Sequence, residues 1–326
     1  MRINDSRFWR EHVDEGFIVE GRPITSLLRV LRSTKGRITL FIHSPRPRSV
    51  FVILSLYRLV FPDRVKVVLQ ELNFDFHQFL GKGLSLRRGI RRGWLSVLVA
   101  SCDHIICHST QQTEDLKVLY PNKGKAIHFV ALPKGHNVSR PRVAEPEDEA
   151  PFVLVPGEVR DFGIIFRICE RLERASIPIK IVGRKKAIHQ QAQQQVAMGF
   201  DCKGIEVEYD LPREQYLSLL ASARVVVIPT LECHRANGQL TLLDAYAFGK
   251  ATVCLFGANL WDYYDEGSVA TYHAGDDDEL LGKIVTLWND QEARRELKQK
   301  AFRYLHRFPT KDEFVRTIFS VCEIDP

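Results

Sequence analysis

The sequence lacks any apolar run long enough to cross a membrane as a helix, which needs about 20 apolar residues. Its longest apolar stretches, residues 49–59 and 95–100, are much shorter. The first residues, MRIND, contain no apolar core of the kind found in a signal peptide. We therefore expect a cytoplasmic protein without a transmembrane helix.

The seven cysteines show no pattern of a metal site or of a disulfide scaffold. They are dispersed along the chain, at positions 102, 107, 169, 202, 233, 254 and 322. The sequence contains no CxxC pair and no Cys/His spacing of a zinc finger. An odd, dispersed set of cysteines indicates reduced thiols, which also fits the cytosol.

The composition predicts a folded chain of two domains. The 326 residues are 45% hydrophobic and 26% charged, which is ordinary for a globular protein and excludes general disorder. Single cores seldom grow past about 250–300 residues. Residues 140–151 contain three prolines and four acids and indicate a linker. We expect a first domain at 1–142, a linker at 143–151, a second domain at 152–305, and a C-terminal helix at 306–326 that packs back on the first domain.

The net charge of +6 is unevenly distributed. Residues 1–142 carry 24 Lys and Arg against 11 Asp and Glu, whereas residues 143–326 carry 22 against 29. A basic first half favours an anionic partner, such as a membrane surface, a nucleic acid or an acidic substrate. Uneven solvation charge is the alternative.

Short apolar runs alternate with helical patterns on both sides of the linker. The predicted strands are 37–43, 65–70, 104–108, 126–131, 152–156, 178–182, 205–209, 224–229 and 252–256. The predicted helices between them are 49–61, 85–101, 110–120, 163–175, 189–198, 213–221 and 239–248. This alternation is typical of parallel βαβ units. It predicts an α/β fold of two Rossmann-like domains facing a cleft, with ligands at the carboxyl ends of the strands.

The start of the first domain is atypical. Residues 1–36 contain no glycine-rich first turn. Phe17 and Ile18 belong to a set of apolar residues that suggests an amphipathic start, and residues 24–31 suggest a helix. The first Rossmann-like domain is therefore expected to be abbreviated or irregular.

The densest chemical signal lies at residues 228–250, where a strand, a polar loop and a helix follow one another. Gly238 allows the backbone to approach a ligand closely. The first amides of the helix would then form an anion site; they belong to Gln239, Leu240 and Thr241. Asp244, one and a half turns later, could accept hydrogen bonds from a ribose diol, and Gly249 would end the helix.

These residues resemble the donor half of the GT-B glycosyltransferases of the group 1 (family 4) type. The similar segments are 100–110, 130–137, 153–160, 181–186, 208–230 and 240–251. The resemblance covers roughly residues 38–305 and is stronger in the second half. It implies a GT-B fold and transfer of a sugar from a nucleotide diphosphate sugar, with UDP or GDP as the nucleotide.

The resemblance also implies roles for individual residues. Asp244 would bind the ribose, and residues 238–241 would hold the distal phosphate. Arg160 and Lys185, with Arg184, would neutralise the diphosphate, because charge that develops on a leaving phosphate needs fixed cations. Tyr209 and Leu211 would lie beside the base.

The sequence departs from the family pattern at three places. Ala236 stands where the family has the first Glu of its Glu-x7-Glu pair; Glu232, His234 or Arg235 could substitute for it. Residues 157–158 are Gly-Glu rather than Gly-Arg. In the first half, Glu71 is the candidate base or donor contact, with His43 or Asp75 as alternatives.

The resemblance implies a hexosyltransferase of polysaccharide or glycoconjugate biosynthesis, with a carbohydrate or lipid-linked acceptor. It further implies retention of anomeric configuration without a metal. Asp276, Asp277 and Asp278 follow a glycine and are expected to cap a helix rather than bind a metal. The departures leave two alternatives, a non-catalytic GT-B-like partner protein and a nucleotide-sugar epimerase of the same fold.

A basic stripe lies within residues 81–100 of the first half, most of it on the helix predicted at 85–101. Its cations are Lys82, Arg87, Arg88, Arg91 and Arg92, and Trp94 and Leu95 follow. Cations beside apolar residues are typical of an interfacial helix on an anionic membrane. A solvated helix face is the alternative. Nucleic acid is not expected, because no binding motif or stacking pattern is present.

Overall fold

The computed structural model is an α/β protein with two compact units, residues 1–131 together with 312–326, and residues 132–311. It describes residues 16–18, 38–43, 49–61, 63–70, 86–135, 152–157, 159–200 and 204–324. The linker predicted at 143–151 and the helix predicted at 24–31 lie outside these ranges.

The first unit contains a parallel sheet of five strands in sequential order. The strands are β1 (Gly16–Ile18), β2 (Ile38–His43), β3 (Val65–Gln70), β4 (His104–Cys107) and β5 (Ile127–Phe129). The helices between them are α1 (Ser49–Val60), α2 (Leu86–Ser101) and α3 (Thr110–Leu119). The buried residues of β3 and β4 pack with apolar residues of α1 and α2 to form the core.

The second unit contains a parallel sheet of six strands in the order β11-β10-β9-β6-β7-β8. These strands are β6 (Val153–Pro156), β7 (Ile179–Gly183), β8 (Ile205–Tyr209), β9 (Val225–Ile228), β10 (Ala251–Leu255) and β11 (Ala270–Tyr272). Its helices are α4 (Phe162–Arg174), α5 (Lys185–Ala197), α6 (Arg213–Ser222), α7 (Gln239–Ala247), α8 (Asp277–Asn289) and α9 (Gln291–Leu305). All four residues of β9 are fully buried, which explains why its sequence is an unbroken apolar run.

The last helix, α10 (Lys311–Val321), belongs to the first unit. The ring of Phe319 stacks on Phe41 of β2 at 5.9 Å between centroids. The ammonium of Lys66 donates to the backbone oxygens of Cys322 and Glu323 at 3.0 and 2.9 Å. The C-terminal segment is thereby tied to the middle of the first sheet.

Most predicted elements appear within a few residues of their predicted bounds, and β3 and β8 match them fully. Two expectations were wrong, and one strand was missed. Residues 16–18 form a strand paired with β2 rather than part of an amphipathic start. α5 begins at Lys185 instead of 189, because the Lys-Lys pair is helical. The short edge strand β11 was not predicted, since three residues carry too little periodicity.

The expectation of reduced thiols holds for most but not all described cysteines. Cys102, Cys107, Cys254 and Cys322 are buried free thiols, and burial raises their pKa values. Cys169 is disulfide-bonded, which corrects the expectation at that position. None of the described helices is long and apolar enough to span a membrane.

Candidate functional site

The site lies where the strand order of the second sheet reverses. β6 has β7 on one side and β9 on the other, so the chain segments that leave β6 and β9 diverge at the carboxyl edge. Such a switch point forms the ligand crevice of open α/β sheets. Before they diverge, a hydrogen bond connects the two segments: the amide of Asp161 donates to the backbone oxygen of Pro229 at 2.6 Å.

Gly238 opens α7 in a conformation that requires glycine. Its φ is +97°, and an added Cβ would lie 2.9 Å from Thr230 Cγ2 and 3.0 Å from Ile228 Cγ2. The start of α7 therefore packs directly on the end of β9. The first amides of the helix, those of Gln239, Leu240 and Thr241, have no acceptor within it; the anion site there stays a prediction. Gly249, with φ +60°, ends the helix as predicted.

Arg160 connects the end of β6 to the start of α7. Its guanidinium donates to Asn237 Oδ1 and Thr241 Oγ1, both at 3.0 Å. It also donates to the backbone oxygens of Pro156 and Val159, both at 2.9 Å. Arg160 is buried, so its positive charge lies beneath the helix N-terminus and four of its N–H groups hold protein atoms in place.

Asp244 is buried on α7 and paired with a cation that sequence reasoning missed. Nη2 of Arg213 donates to both carboxylate oxygens, at 2.6 and 2.7 Å. Burial raises the pKa of Asp244, and the charge and hydrogen bonds of Arg213 oppose that shift. In this structure the carboxylate oxygens that were expected to meet a ribose are already occupied.

Four further predicted residues lie at or just after the ends of β7 and β8. Arg184 caps the N-terminus of α5, Lys185 begins that helix, and both are exposed. The Lys185 ammonium lies 5.9 Å from the centre of the Tyr209 ring, and Leu211 is half-buried nearby in the chain. Cations at a helix N-terminus oppose the helix dipole, so an anion bound here would be stabilising.

The structure leaves the predicted acceptor-side residues undescribed or only partly described. Glu71 and Asp75 lie outside the described residues, as do Lys82 and Glu158. His43 ends β2, where its backbone is in register with Gln70. Their roles stay predictions.

Two asparagines organise the site and were not singled out from the sequence. Asn237 accepts from Arg160 and donates to the backbone oxygen of Val159 at 3.3 Å. Asn259 Nδ2 donates to Thr230 Oγ1 at 2.8 Å and to the Asn237 backbone oxygen at 3.2 Å. The Asn-Gly pair before α7 could have pointed to Asn237, whereas no sequence pattern pointed to Asn259.

The aspartate triplet caps α8, as predicted. Asp276 accepts from the amide of Glu279 at 2.8 Å. Asp277 forms two hydrogen bonds of 2.8 Å with Arg167, and Asp278 pairs with Arg171. The triplet serves the packing of α8 against α4.

No family model matches the sequence, and no curated protein is recognisably similar to it. Solved structures are similar in fold. The E. coli trehalose-6-phosphate protein bound with UDP-2-fluoro glucose has a TM-score of 0.68 at 12% identity, covering 94% of this chain and 80% of that one. HepE of Anabaena, in complex with UDP and glucose, has a TM-score of 0.67 at 12% identity over 92% and 81%. Sucrose-phosphate synthase of Thermosynechococcus elongatus gives 0.66 at 12% over 92% and 77%.

These neighbours are GT-B glycosyltransferases. The chain therefore has the α/β fold of that class, with parallel sheets and flanking helices, as the sequence predicted.

Proposed function

We propose that the protein is a glycosyltransferase that binds a nucleotide diphosphate sugar at the carboxyl edge of its second sheet. The observation that carries the proposal is the junction of Arg160, Asn237 and Thr241 under the N-terminus of α7. Free helix amides, backed by the positive charge of a buried guanidinium, are suited to hold a phosphate group. The fold neighbours, two of which contain UDP or a UDP-sugar analogue, support the same ligand class.

The diphosphate would lie between α7 and the exposed cations at the start of α5. Fixed cations stabilise charge on a leaving phosphate, which is the role proposed for Lys185 and Arg184. UDP or GDP is the proposed nucleotide, transfer is proposed to retain the anomeric configuration, and the sugar is proposed to be a hexose. The acceptor is proposed to be a carbohydrate or lipid-linked molecule of a polysaccharide or glycoconjugate pathway, with Glu71 or His43 contacting the reacting groups.

The first test is nucleotide binding by the full chain, measured by calorimetry and by the shift in melting temperature. We expect UDP or GDP to bind more tightly than the corresponding nucleoside. Lys185→Met should weaken UDP or GDP binding several-fold and leave the nucleoside unaffected. Lys283→Met, an exposed cation on α8, is the matched control and should change neither.

Turnover distinguishes the proposal from its two alternatives. Incubation with UDP- and GDP-sugars, followed by mass spectrometry, should show nucleotide release and a glycosylated acceptor. Binding without any release would favour a non-catalytic partner protein, an alternative that Ala236 at the sugar-engaging position supports. A changed sugar on an intact nucleotide would indicate an epimerase.

We also propose that α1 and α2 of the first unit dock on the cytoplasmic face of an anionic membrane. The α1 side chains Val52, Leu56 and Val60 recur at every fourth position and are exposed, the last two by 59% and 68%. On α2, Ile90 is 64% exposed and its neighbours Arg91 and Arg92 are exposed. An apolar stripe beside cations is the arrangement of an interfacial surface; Arg87, Arg88 and Lys82 are proposed as part of it on the sequence alone.

A further inference from the structure

The ion pair between Arg213 and Asp244 presents the cation, not the carboxylate, to solvent. The side chain of Asp244 is 6% exposed and that of Arg213 is 26% exposed. A carboxylate that binds a ribose diol offers its oxygens to the ligand; both oxygens of Asp244 already accept from one nitrogen of Arg213, and the side chain is almost fully buried. A ligand that reaches this position first meets the guanidinium.

The guanidinium is held rigidly but keeps donor capacity. Its carbon lies 5.0 Å from the centre of the Tyr216 ring, so the ring supports the guanidinium while Asp244 fixes its Nη2. Both hydrogen bonds that Arg213 forms with described residues come from Nη2, which leaves Nη1 unused, and the buried Nε has no hydrogen-bond partner among the described residues. A rigid cation with an unused N–H edge is suited to donate to a ligand oxygen.

The position of Arg213 along the site corresponds to the sugar of a nucleoside. Asp244 lies six residues after Gly238, or about 9 Å along the helix axis, so the pair is displaced from the proposed phosphate site. Arg213 also begins α6, which follows the end of β8 at Tyr209, the residue expected to lie beside the base. Arg213 is therefore bonded to a residue beyond the proposed phosphate end and follows the predicted base end by four residues in the chain.

We propose that Arg213 is the specificity-determining residue for the donor ribose, with Nη1 donating to a ribose hydroxyl oxygen, and that Asp244 is its buried positioning partner. This rests on the proposed function and reassigns the ribose contact that the family resemblance places on Asp244. Loss of one hydrogen bond from a charged donor corresponds to roughly a ten- to hundredfold change in affinity.

The test compares dissociation constants of the full chain for UDP and for 2′-deoxy- and 3′-deoxy-UDP, or for the GDP series if GDP binds better. In wild-type protein, removal of the contacted hydroxyl should weaken binding about tenfold or more. In Arg213→Met the ratio of the dissociation constant for this deoxy-UDP to that for UDP should fall to about one. In Asp244→Asn all ligands should bind more weakly, but a ratio clearly above one should remain, because the guanidinium is still present.

Arg213→Lys is a second variant in case Arg213→Met misfolds, because lysine keeps a positive charge beside Asp244. Lysine lacks the second donor edge of the guanidinium, so the ratio of dissociation constants should fall to about one in this variant too. A ratio that persists in both Arg213 variants and disappears in Asp244→Asn would overturn the proposal and return the ribose contact to Asp244. A wild-type protein that binds neither UDP nor GDP would refute the proposed function itself. Binding with a ratio that no variant changes would refute only the role of Arg213.

Discussion

Replacing Gly238 with alanine should both destabilise the second unit and abolish nucleotide binding. A side chain at φ +97° costs about 1–2 kcal/mol in backbone conformation. The new Cβ would also overlap Thr230 Cγ2 at 2.9 Å and Ile228 Cγ2 at 3.0 Å, and both residues are buried. Overpacking of this kind costs about 1–3 kcal/mol. The sum, about 2–5 kcal/mol, corresponds to a fall of about 10 °C in melting temperature for a domain of this size.

Gly249→Ala is the matched control because it isolates the conformational cost. Gly249 has φ +60°, but no atom of the described residues beyond its chain neighbours lies within 4 Å of an added Cβ, so the expected loss is only about 1–2 kcal/mol. It also lies at the opposite end of α7 from the proposed phosphate site. Calorimetric unfolding and UDP titration of both variants decide the question. Equal destabilisation of the two variants, or undiminished UDP affinity in Gly238→Ala, would refute the close packing of α7 on β9 as the basis of the site.

Two further predictions concern the first unit. Burial lowers the pKa values of His104 and His128, whose Nδ1 and Nε2 atoms are 3.2 Å apart, and Lys66 lowers the pKa of His104 further. The free energy of unfolding should therefore fall as pH drops below about 6.5, because the unfolded chain binds more protons than the folded protein. The variant His128→Gln should flatten the dependence of melting temperature on pH between about 5 and 7.5; an unchanged slope would show that this histidine pair does not cause it. Full-length protein should sediment with phosphatidylglycerol vesicles, and added salt should weaken this binding. Replacing both Arg91 and Arg92 with Glu should lower the affinity for the vesicles at least about tenfold. The equally charged control, Lys283→Glu with Arg303→Glu in the second unit, should bind as wild type; equal loss in both would indicate a general charge effect.

The sequence-based prediction was strongest where a pattern is local. β3 and β9 are mostly apolar, and β8 alternates apolar and charged residues, so their existence as strands followed from local patterns. Gly238 and Gly249 were recognisable because each stands at one end of a helical pattern. The edge strands β1 and β11, three residues each, were missed because pairing with a neighbour, rather than their own composition, makes them strands.

The site was only partly predictable, because its contacts join residues far apart in the chain. Arg160 and Asp244 were both selected from motif positions, but nothing in their neighbourhoods indicates that Arg160 donates to Thr241, 81 residues away. Arg213 was overlooked since a cation in the first turn of a helix is ordinary on a solvated surface. Its pairing with Asp244 across 31 residues is what changes the expected role of that carboxylate.

By itself, the sequence determined the α/β class, the order of most elements, and the glycine that lets a helix begin against a strand end. These follow from side-chain periodicity and backbone conformational limits, which act over a few residues. Only the tertiary structure decided which polar groups are exposed and which are consumed by one another. The reversal of strand order at β6 and β9 brings distant side chains together, and their pairing, which no local pattern records, leaves the guanidinium of Arg213 more exposed than the carboxylate of Asp244.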